Sequence, residues 1–92
     1  MPFVQTSVVS SDGSITTAPA IVYGVLVAAE GTGGLGQLND STDDSGTDLI
    51  SGFAEASSQT YIDLSQSPVQ FSTGIRADLA GSNQILTVFY TS

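Results

Sequence analysis

The 92-residue chain contains no cysteine, histidine, tryptophan or lysine, and Arg76 is its only basic residue. Without histidine or cysteine, the usual ligands of zinc, haem and iron–sulfur centres are missing. Neither a Ser–His–Asp triad nor a Cys–His pair can form, because each needs histidine as the general base. The missing lysine also excludes a Schiff base and the lysine of a P-loop. We therefore predict a protein that is not an enzyme and carries no cofactor.

Negative charge dominates the sequence, with nine acidic residues against one basic residue and a net charge of −8. A single arginine cannot build a phosphate-binding surface, and an anionic membrane would repel the chain. We therefore expect neither nucleic acid nor a membrane as a partner. The longest apolar run, residues 20–29, is too short for a transmembrane helix. Residues 1–5 lack the features of a secretion signal.

The length indicates a single domain over residues 1–92 with a thin hydrophobic core and, without cysteine, no disulfide bonds. Small domains of this kind often gain stability by oligomerising. Hydrophobic residues make up 40% of the sequence, which is too many for a disordered acidic tail. Residues 1–19 are predicted to be either an N-terminal arm or an added hairpin.

The residue composition is typical of β-structure. Serine, threonine and glycine are frequent, and the apolar residues are mainly valine, isoleucine, leucine and aromatics. No long stripe of apolar residues at helical spacing is present. We predict an all-β fold, an antiparallel β-sandwich that is jelly-roll-like and has about eight short strands. The predicted strands cover residues 3–9, 14–17, 20–30, 47–54, 61–64, 69–71, 74–79 and 84–91, with residues 37–38 as the start of a further short strand.

The strand predicted over residues 20–30 is apolar on both faces, which is typical of a central strand covered on both sides. Strict alternation places two sets of side chains on opposite faces: Ile21, Tyr23, Val25 and Val27 on one, and Val22, Leu26 and Ala28 on the other. We expect one face to enter the core and the other to be available to a partner subunit.

The run Gly31-Thr32-Gly33-Gly34-Leu35-Gly36 matches the pattern G-x-G-x-x-G of dinucleotide-binding folds. Such a site needs a helix directly after the glycines, because the N-terminus of that helix holds the pyrophosphate. The residues that follow form helices poorly, so we interpret residues 31–36 as a flexible turn.

Four aspartates, Asp40, Asp43, Asp44 and Asp48, lie within nine residues. Several carboxylates close together can bind Ca²⁺, but this spacing lacks the glycine and the final glutamate of an EF-hand loop. A pair of catalytic carboxylates would need a rigid cleft, which a loop rich in glycine and serine does not provide. We predict a solvated loop and no metal site, with these four aspartates as the candidates should a cation bind.

Two further groups of residues are candidates for an interface. Arg76 and Asp78 lie two residues apart on a predicted strand and therefore on one face, where they form either an exposed ion pair or a contact with a partner. Tyr23, Phe89 and Tyr90 are aromatic strand residues, which belong either to the core or to a subunit interface. The residues predicted to pack in one of these two ways are Val22, Tyr23, Leu26, Phe71, Phe89 and Tyr90.

The C-terminal part of the chain contains the segment Phe71-Ser72-Thr73-Gly74-Ile75-Arg76-Ala77-Asp78-Leu79-Ala80-Gly81-Ser82, followed by Thr87-Val88-Phe89-Tyr90. This segment resembles the C-terminal part of small β-rich virion proteins of tailed phages, and residues 21–27 and 40–46 resemble them too. Arg76 stands where those proteins more often have an aromatic residue. The resemblance implies a capsid decoration or cement protein, made in the host cytoplasm, that binds as a homotrimer to the major capsid protein on the capsid exterior.

Two other functions stay open at this point. A virion protein of the same kind can belong to a tail, a baseplate or a fibre, and a small β module can bind Ca²⁺ or carbohydrate. A Ca²⁺ module would need residues 40–48 to form an ordered ion site. A carbohydrate module would need aromatic side chains that stack on the sugar, for which the candidates are Tyr23, Tyr61, Phe71 and Tyr90.

Overall fold

The computed structural model describes residues 4–29, 33–42, 46–80 and 84–91. This described part is built from nine strands and contains no helix, so it holds no helix that is long and apolar enough to cross a membrane. The strands are β1 (Gln5–Val9), β2 (Gly13–Thr16), β3 (Ala20–Ala29), β4 (Gly34–Asp40), β5 (Thr47–Ala54), β6 (Ser58–Asp63), β7 (Val69–Phe71), β8 (Ile75–Ala80) and β9 (Gln84–Thr91).

The strands form two antiparallel sheets with the core between them. Sheet A has the order β1-β9-β3-β6, with β7 also paired to β3, and sheet B has the order β2-β8-β4-β5. β6 and β7 pair with successive parts of β3 and act as one strand interrupted at residues 64–68. The chain is thus a folded antiparallel ribbon in which β1 pairs with β9, β2 with β8, β3 with β6 and β7, and β4 with β5, which is the arrangement of a jelly roll. The predicted all-β, jelly-roll-like antiparallel sandwich is confirmed.

Residues 5–16 contribute strands to both sheets. β1 lies at the edge of sheet A beside β9, and β2 lies at the edge of sheet B beside β8. β1 and β2 therefore do not pair with each other, and the described part of residues 1–19 is neither an arm nor an added hairpin. The local pattern cannot show this, because the partner strands lie at the other end of the chain.

A β-bulge interrupts the regular alternation of β3. Val22 pairs with Tyr90 of β9 and Gly24 pairs with Phe89, which leaves Tyr23 as an extra residue in the register. One extra residue moves every following side chain to the opposite face of the strand. The assignment of side chains to the two faces of β3 therefore changes at this point.

The predicted facing of the β3 side chains is wrong in part for this reason. Val22 faces the core before the bulge, and Val25 and Val27 face it afterwards, all three fully buried. The outward side of β3 carries the remaining large side chains and one alanine, namely Ile21, Tyr23, Leu26 and Ala28. β3 has paired strands on both sides, so the predicted central strand is confirmed.

The hydrophobic core lies between the sheets. Its buried members are Ala20, Val22, Val25, Val27, Ala29, Leu38, Ile50, Ala54, Phe71, Ile75, Ala77, Leu86, Val88 and Tyr90. Tyr90 is 9% exposed, so of the two roles predicted for it the structure gives the core role. Gln84 is only 1% exposed, and its amide nitrogen and oxygen have no hydrogen-bond partner among the described residues.

β4 begins within the glycine-rich run for which the sequence predicts a flexible turn. Gly34 and Gly36 lie in this strand and are buried, so the predicted turn is wrong for residues 34–36. Residues 31 and 32 lie outside the described residues. Glycine is a frequent turn residue, but within a strand it also marks a place where another backbone or side chain approaches closely.

Gly36 of β4 and Gly52 of β5 lie where side chains of sheet A approach sheet B closely. Gly36 pairs directly with Gly52 of β5, and a Cβ at Gly36 would lie 3.0 Å from the side chain of Leu86. A Cβ at Gly52 would lie 2.7 Å from the side chain of Ile62. Leu86 and Ile62 belong to sheet A, so the two glycines form a notch in sheet B that receives side chains from the opposite sheet.

Candidate functional site

The outward side of sheet A carries a mostly apolar surface. One row of directly paired residues crosses the sheet: Val8 of β1, Thr87 of β9, Leu26 of β3 and Tyr61 of β6. Directly paired residues of an antiparallel sheet place their side chains on the same face. We call this surface the outer face of sheet A, and it is formed by Thr6, Val8, Ile21, Tyr23, Gly24, Leu26, Ala28, Gln59, Tyr61, Asp63, Gln70, Ile85, Thr87 and Phe89.

Tyr61 and Phe89 form an aromatic pair on this face. Their ring centroids are 6.2 Å apart and their planes meet at 77°, which is the favourable edge-to-face arrangement. The Tyr61 ring lies over Gly24, where a Cβ would overlap the Tyr61 hydroxyl. Tyr61 is nevertheless 54% exposed, and Val8 in the same row is 64% exposed. The apolar surface is therefore open to solvent in a single chain.

Asp63 is the only charged residue among those that form the outer face of sheet A, and it lies on the edge strand β6. Its Oδ1 accepts hydrogen bonds from the backbone N–H of Ser65 (3.0 Å) and from the Ser65 hydroxyl (2.7 Å). These bonds lower the pKa of Asp63 and close the turn after β6. The middle of the face is thus uncharged in a chain whose net charge is −8.

The outward side of sheet B is polar in its middle. Arg76 and Asp78 of β8 both point to this side and pair with Asn39 and Gln37 of β4. The Nε atom of Arg76 is buried and has no hydrogen-bond partner within the described part of the chain. Phe53 of β5, which is 56% exposed, lies at one end of this side. The two outward sides of the sandwich therefore differ in the middle, which is mostly apolar on sheet A and polar on sheet B, although Leu49 and Phe53 of β5 are exposed too.

The predicted interface candidates fall in three separate places. Tyr23 and Phe89 lie on the outer face of sheet A, and Tyr90 lies in the core. Arg76 and Asp78 lie together on the outward side of sheet B. The structure therefore brings Tyr23 and Phe89 onto one surface and Arg76 and Asp78 onto another, and it separates Tyr90 from both.

Tyr61 and Val8 also belong to the outer face of sheet A, although the sequence does not place either of them at an interface. Tyr61 comes directly before Ile62, which packs against the core, so the alternation indicates that Tyr61 points outward. The pattern does not show which strands lie beside it. Tyr61 joins Leu26 in one row only because β6 pairs with β3.

Asp40, the last residue of β4, fastens the turn between β7 and β8. Its Oδ1 accepts hydrogen bonds from the backbone N–H of Thr73 (2.8 Å) and of Gly74 (3.4 Å). Its Oδ2 accepts hydrogen bonds from the backbone N–H (3.1 Å) and the hydroxyl (3.0 Å) of Ser72. Burial acts to raise the pKa of Asp40, but these hydrogen bonds together outweigh it and hold the pKa below its ordinary value.

Asn39 joins the two ends of the acidic loop. Its side chain is 3% exposed, and its Nδ2 donates to the carbonyl oxygen of Gly46 (2.8 Å) and to Oδ1 of Asp48 (3.0 Å). Its Oδ1 accepts hydrogen bonds from the Gly46 N–H (3.1 Å) and from the hydroxyl of Ser41. A buried amide with partners on both its nitrogen and its oxygen fixes where the loop leaves β4 and enters β5.

The four aspartates named as metal candidates have different surroundings. Asp40 bonds to the 72–74 turn, Asp48 bonds to Asn39, and Asp43 and Asp44 lie outside the described residues. Within residues 4–29, 33–42, 46–80 and 84–91, no group of three or more histidine, cysteine, aspartate or glutamate side chains could hold a metal ion.

The chain matches no protein-family model, no curated protein and no solved structure.

Proposed function

We propose that this chain is a non-enzymatic structural protein of a tailed-phage virion that self-associates and docks on the outer surface of the capsid as a decoration or cement protein. The observation that carries the proposal is the outer face of sheet A, which is mostly apolar, uncharged in its middle and exposed to solvent at Val8 and Tyr61 in a single chain. Large apolar patches on soluble proteins mark sites of interaction. A chain with such a face is suited to an assembly.

The fold supports the proposal by analogy. Jelly rolls occur in viral capsid domains, and they also occur in lectin domains and cupins. A fold alone does not fix a function, so the function must be inferred from the surfaces of the sandwich. In this sandwich the two outward sides point away from each other and differ in polarity. One side can therefore serve self-association while the rest of the molecule contacts the shell.

Four carboxylates of the described chain have structural uses that fit a non-enzymatic protein. Asp12 accepts a hydrogen bond from the backbone N–H of Leu79 (2.8 Å) and so ties the turn after β1 to β8. Asp40, Asp48 and Asp63 fasten the turns and the loop beside their strands. The negative charge also disfavours contact with packaged DNA, because the DNA backbone is anionic.

In this proposal, docking stabilises the capsid by mass action. A protein that binds the assembled shell, but not free capsid subunits, shifts the equilibrium towards the shell as its concentration rises above its Kd. Arg76, the only cation of the chain, and residues 40–48 are the candidates for polar contacts with the major capsid protein. The partly buried position of Arg76 in β8 limits the directions in which its guanidinium can reach a partner.

The proposal is tested with particles of the phage whose genome encodes this sequence. Purified protein is added to shells that lack it, and binding is measured by sedimentation while the disruption temperature of the shells is measured by light scattering. We expect saturable binding, density on the outside of the shell by cryo-electron microscopy, and a higher disruption temperature. Binding only to tails, baseplates or fibres, or absence from purified particles, would show that the capsid role is wrong.

Arg76 offers a sharper test of the docking contact. We expect Arg76→Gln to weaken binding to shells and Arg76→Lys to restore part of it, because lysine keeps the charge but not the planar guanidinium. Circular dichroism of both variants checks that β8 still folds. Equal binding by both variants and the unchanged protein would remove Arg76 from the contact.

A further inference from the structure

We infer that the outer face of sheet A is the site at which two copies of this chain associate, face to face, about a two-fold axis. The proposed function includes self-association, and we identify here the partner and the surface for it. This inference rests on the proposed function only for the premise that the chain self-associates. Docking on a capsid is a separate property and is measured separately.

The distribution of charge favours a second copy as the occupant of this face. The chain has a net charge of −8, so a strongly basic partner would be drawn to its acidic loops and turns. The outer face of sheet A contains Asp63 at its edge as its only charged residue, and its middle is formed by residues such as Leu26, Thr87 and Phe89. Interface cores are depleted in charge and enriched in aromatic residues. Two copies of so acidic a chain repel each other, so the surface without charge in its middle is where they can meet with the least repulsion.

The size of the face reaches the lower limit of a specific interface. Sheet A is four strands wide, which is about 19 Å at a spacing of about 4.8 Å between strands. The outward residues of β3 extend from Ile21 to Ala28, a length of about 25 Å at about 3.3 Å per residue. The flat area of the face is therefore roughly 500 Å², and the uneven surface of the side chains adds to this value. Two copies would together bury roughly 1,000 Å², which is about the smallest total area of a specific interface.

The geometry of the sandwich favours two-fold symmetry. A two-fold contact uses the same self-complementary surface on both copies, and the outer face of sheet A is one such surface. A three-fold ring needs two different contact surfaces on each copy, set at an angle to each other. The second apolar patch, at Leu35 and Phe53, lies on the opposite side of the sandwich. Contact between these two patches would stack copies in a line, so this face favours a dimer over the homotrimer that the resemblance implies.

A matched pair of lysine variants tests the surface. Tyr61 and Phe53 are both aromatic, lie on the edge strands β6 and β5 of the two sheets, and are 54% and 56% exposed. Tyr61→Lys and Phe53→Lys therefore make the same change in charge at similar exposure on opposite sides of the molecule. We expect the unchanged chain and Phe53→Lys to sediment as dimers. We expect Tyr61→Lys to associate at least about tenfold more weakly, because a buried lysine lacks a partner in the contact.

A disulfide between introduced cysteines tests the two-fold symmetry, because it is detected as a gain of covalent dimer and not as a loss of association. The chain has no cysteine, so a single introduced thiol can form a disulfide only with another copy. Thr87 lies in the middle of the face, next to the inferred two-fold axis, where it approaches its own counterpart. We expect Thr87→Cys to form a covalent dimer on mild oxidation, and we expect the control Ser51→Cys on the outward side of sheet B to stay largely uncrosslinked.

Three results would overturn the inference. They are a monomer at every concentration tested, a trimer in solution, or a dimer that Phe53→Lys dissociates and Tyr61→Lys does not. None of these depends on a capsid, so they are distinguishable from a failure of the proposed function. A dimer that does not bind shells would leave this inference standing, whereas a monomer that binds shells would overturn it and leave docking intact.

Discussion

Replacing Gly52 with alanine probes the spacing at which the two sheets pack. A Cβ at Gly52 would lie 2.7 Å from Cδ1 of Ile62 and 3.1 Å from Cγ2 of Val27. Carbon atoms pack best at about 3.5–4.0 Å, so the first contact is too short by about 0.8 Å. The end of the Ile62 side chain can rotate, but Val27 is fully buried on the central strand and cannot move aside.

We expect Gly52→Ala to lower the free energy of unfolding by about 1–2 kcal/mol. Overpacking a core costs about 1–3 kcal/mol. Replacing glycine with alanine returns about 0.5–1 kcal/mol, because the unfolded chain loses conformational freedom. Urea unfolding followed by circular dichroism measures the difference, with every variant at the same protein concentration, because association would add to the apparent stability. In a domain of this size, 1 kcal/mol corresponds to a change in Tm of about 4–8 °C.

A second substitution shows whether the close contact with Ile62 is the cause. Ile62→Val removes Cδ1 and costs about 0.5–1.5 kcal/mol when made alone. With that atom gone, alanine at position 52 has more space, so the double variant should be more stable than the sum of the single changes by about 1 kcal/mol.

Gly13→Ala is the matched control for Gly52→Ala. A Cβ at Gly13 would meet nothing within 4 Å, so we expect only the gain from the unfolded chain, a rise in the free energy of unfolding of about 0.5–1 kcal/mol. The reasoning is refuted if Gly52→Ala stabilises the protein, or if Gly52→Ala and Ile62→Val are additive.

Three further predictions concern single side chains. The pKa of Asp40 is lower in the folded chain than its unfolded value near 3.8, so its contribution is present above that value and is lost as the pH falls through the folded pKa. Asp40→Asn should cost about 1 kcal/mol at neutral pH, because the carboxylate is partly exposed and water can replace some of its hydrogen bonds. It should also make the free energy of unfolding depend less on pH in the acid range, which urea unfolding at a series of pH values measures. Ser57 has a φ of 57°, a backbone conformation that glycine adopts more easily than serine or valine. Ser57→Gly should therefore raise the free energy of unfolding by up to about 1 kcal/mol and with it Tm, and Ser57→Val should lower both. Gln84→Met removes a buried amide without described partners and should raise the free energy of unfolding by about 1 kcal/mol; a decrease would contradict this account.

Local residue types were sufficient to predict several strands. The predicted strands over residues 47–54, 69–71 and 84–91 agree with β5, β7 and β9, because β-branched and aromatic residues between turn residues favour an extended chain. β4 was predicted only as a short piece. Its first three residues are Gly34, Leu35 and Gly36, and Gly36 faces Leu86 on the opposite sheet, a contact that no local pattern reveals.

The candidate site was predictable only in part, since it depends on pairing between distant strands. The apolar character of both faces of β3 correctly indicated a central strand, and the cover of its outward face by a partner subunit stays a prediction. The bulge at Tyr23 was not predictable, because it exists only in the register between β3 and β9. Alternation placed Ile62 inward and hence Tyr61 outward, but the neighbours of Tyr61 follow from the pairing of β6 with β3.

The place of β9 in sheet A affects how the chain folds as it is synthesised. β9 lies between β1 and β3, so these two strands have no common partner until residues 84–91 have left the ribosome. A nascent chain that ends before residue 84 therefore has two unpaired strand edges, and such edges are templates for pairing with other chains. Folding must follow synthesis of almost the whole ribbon, on the millisecond-to-second timescale of folds dominated by non-local pairing. Premature termination within β8 would thus yield an aggregation-prone fragment rather than a smaller domain.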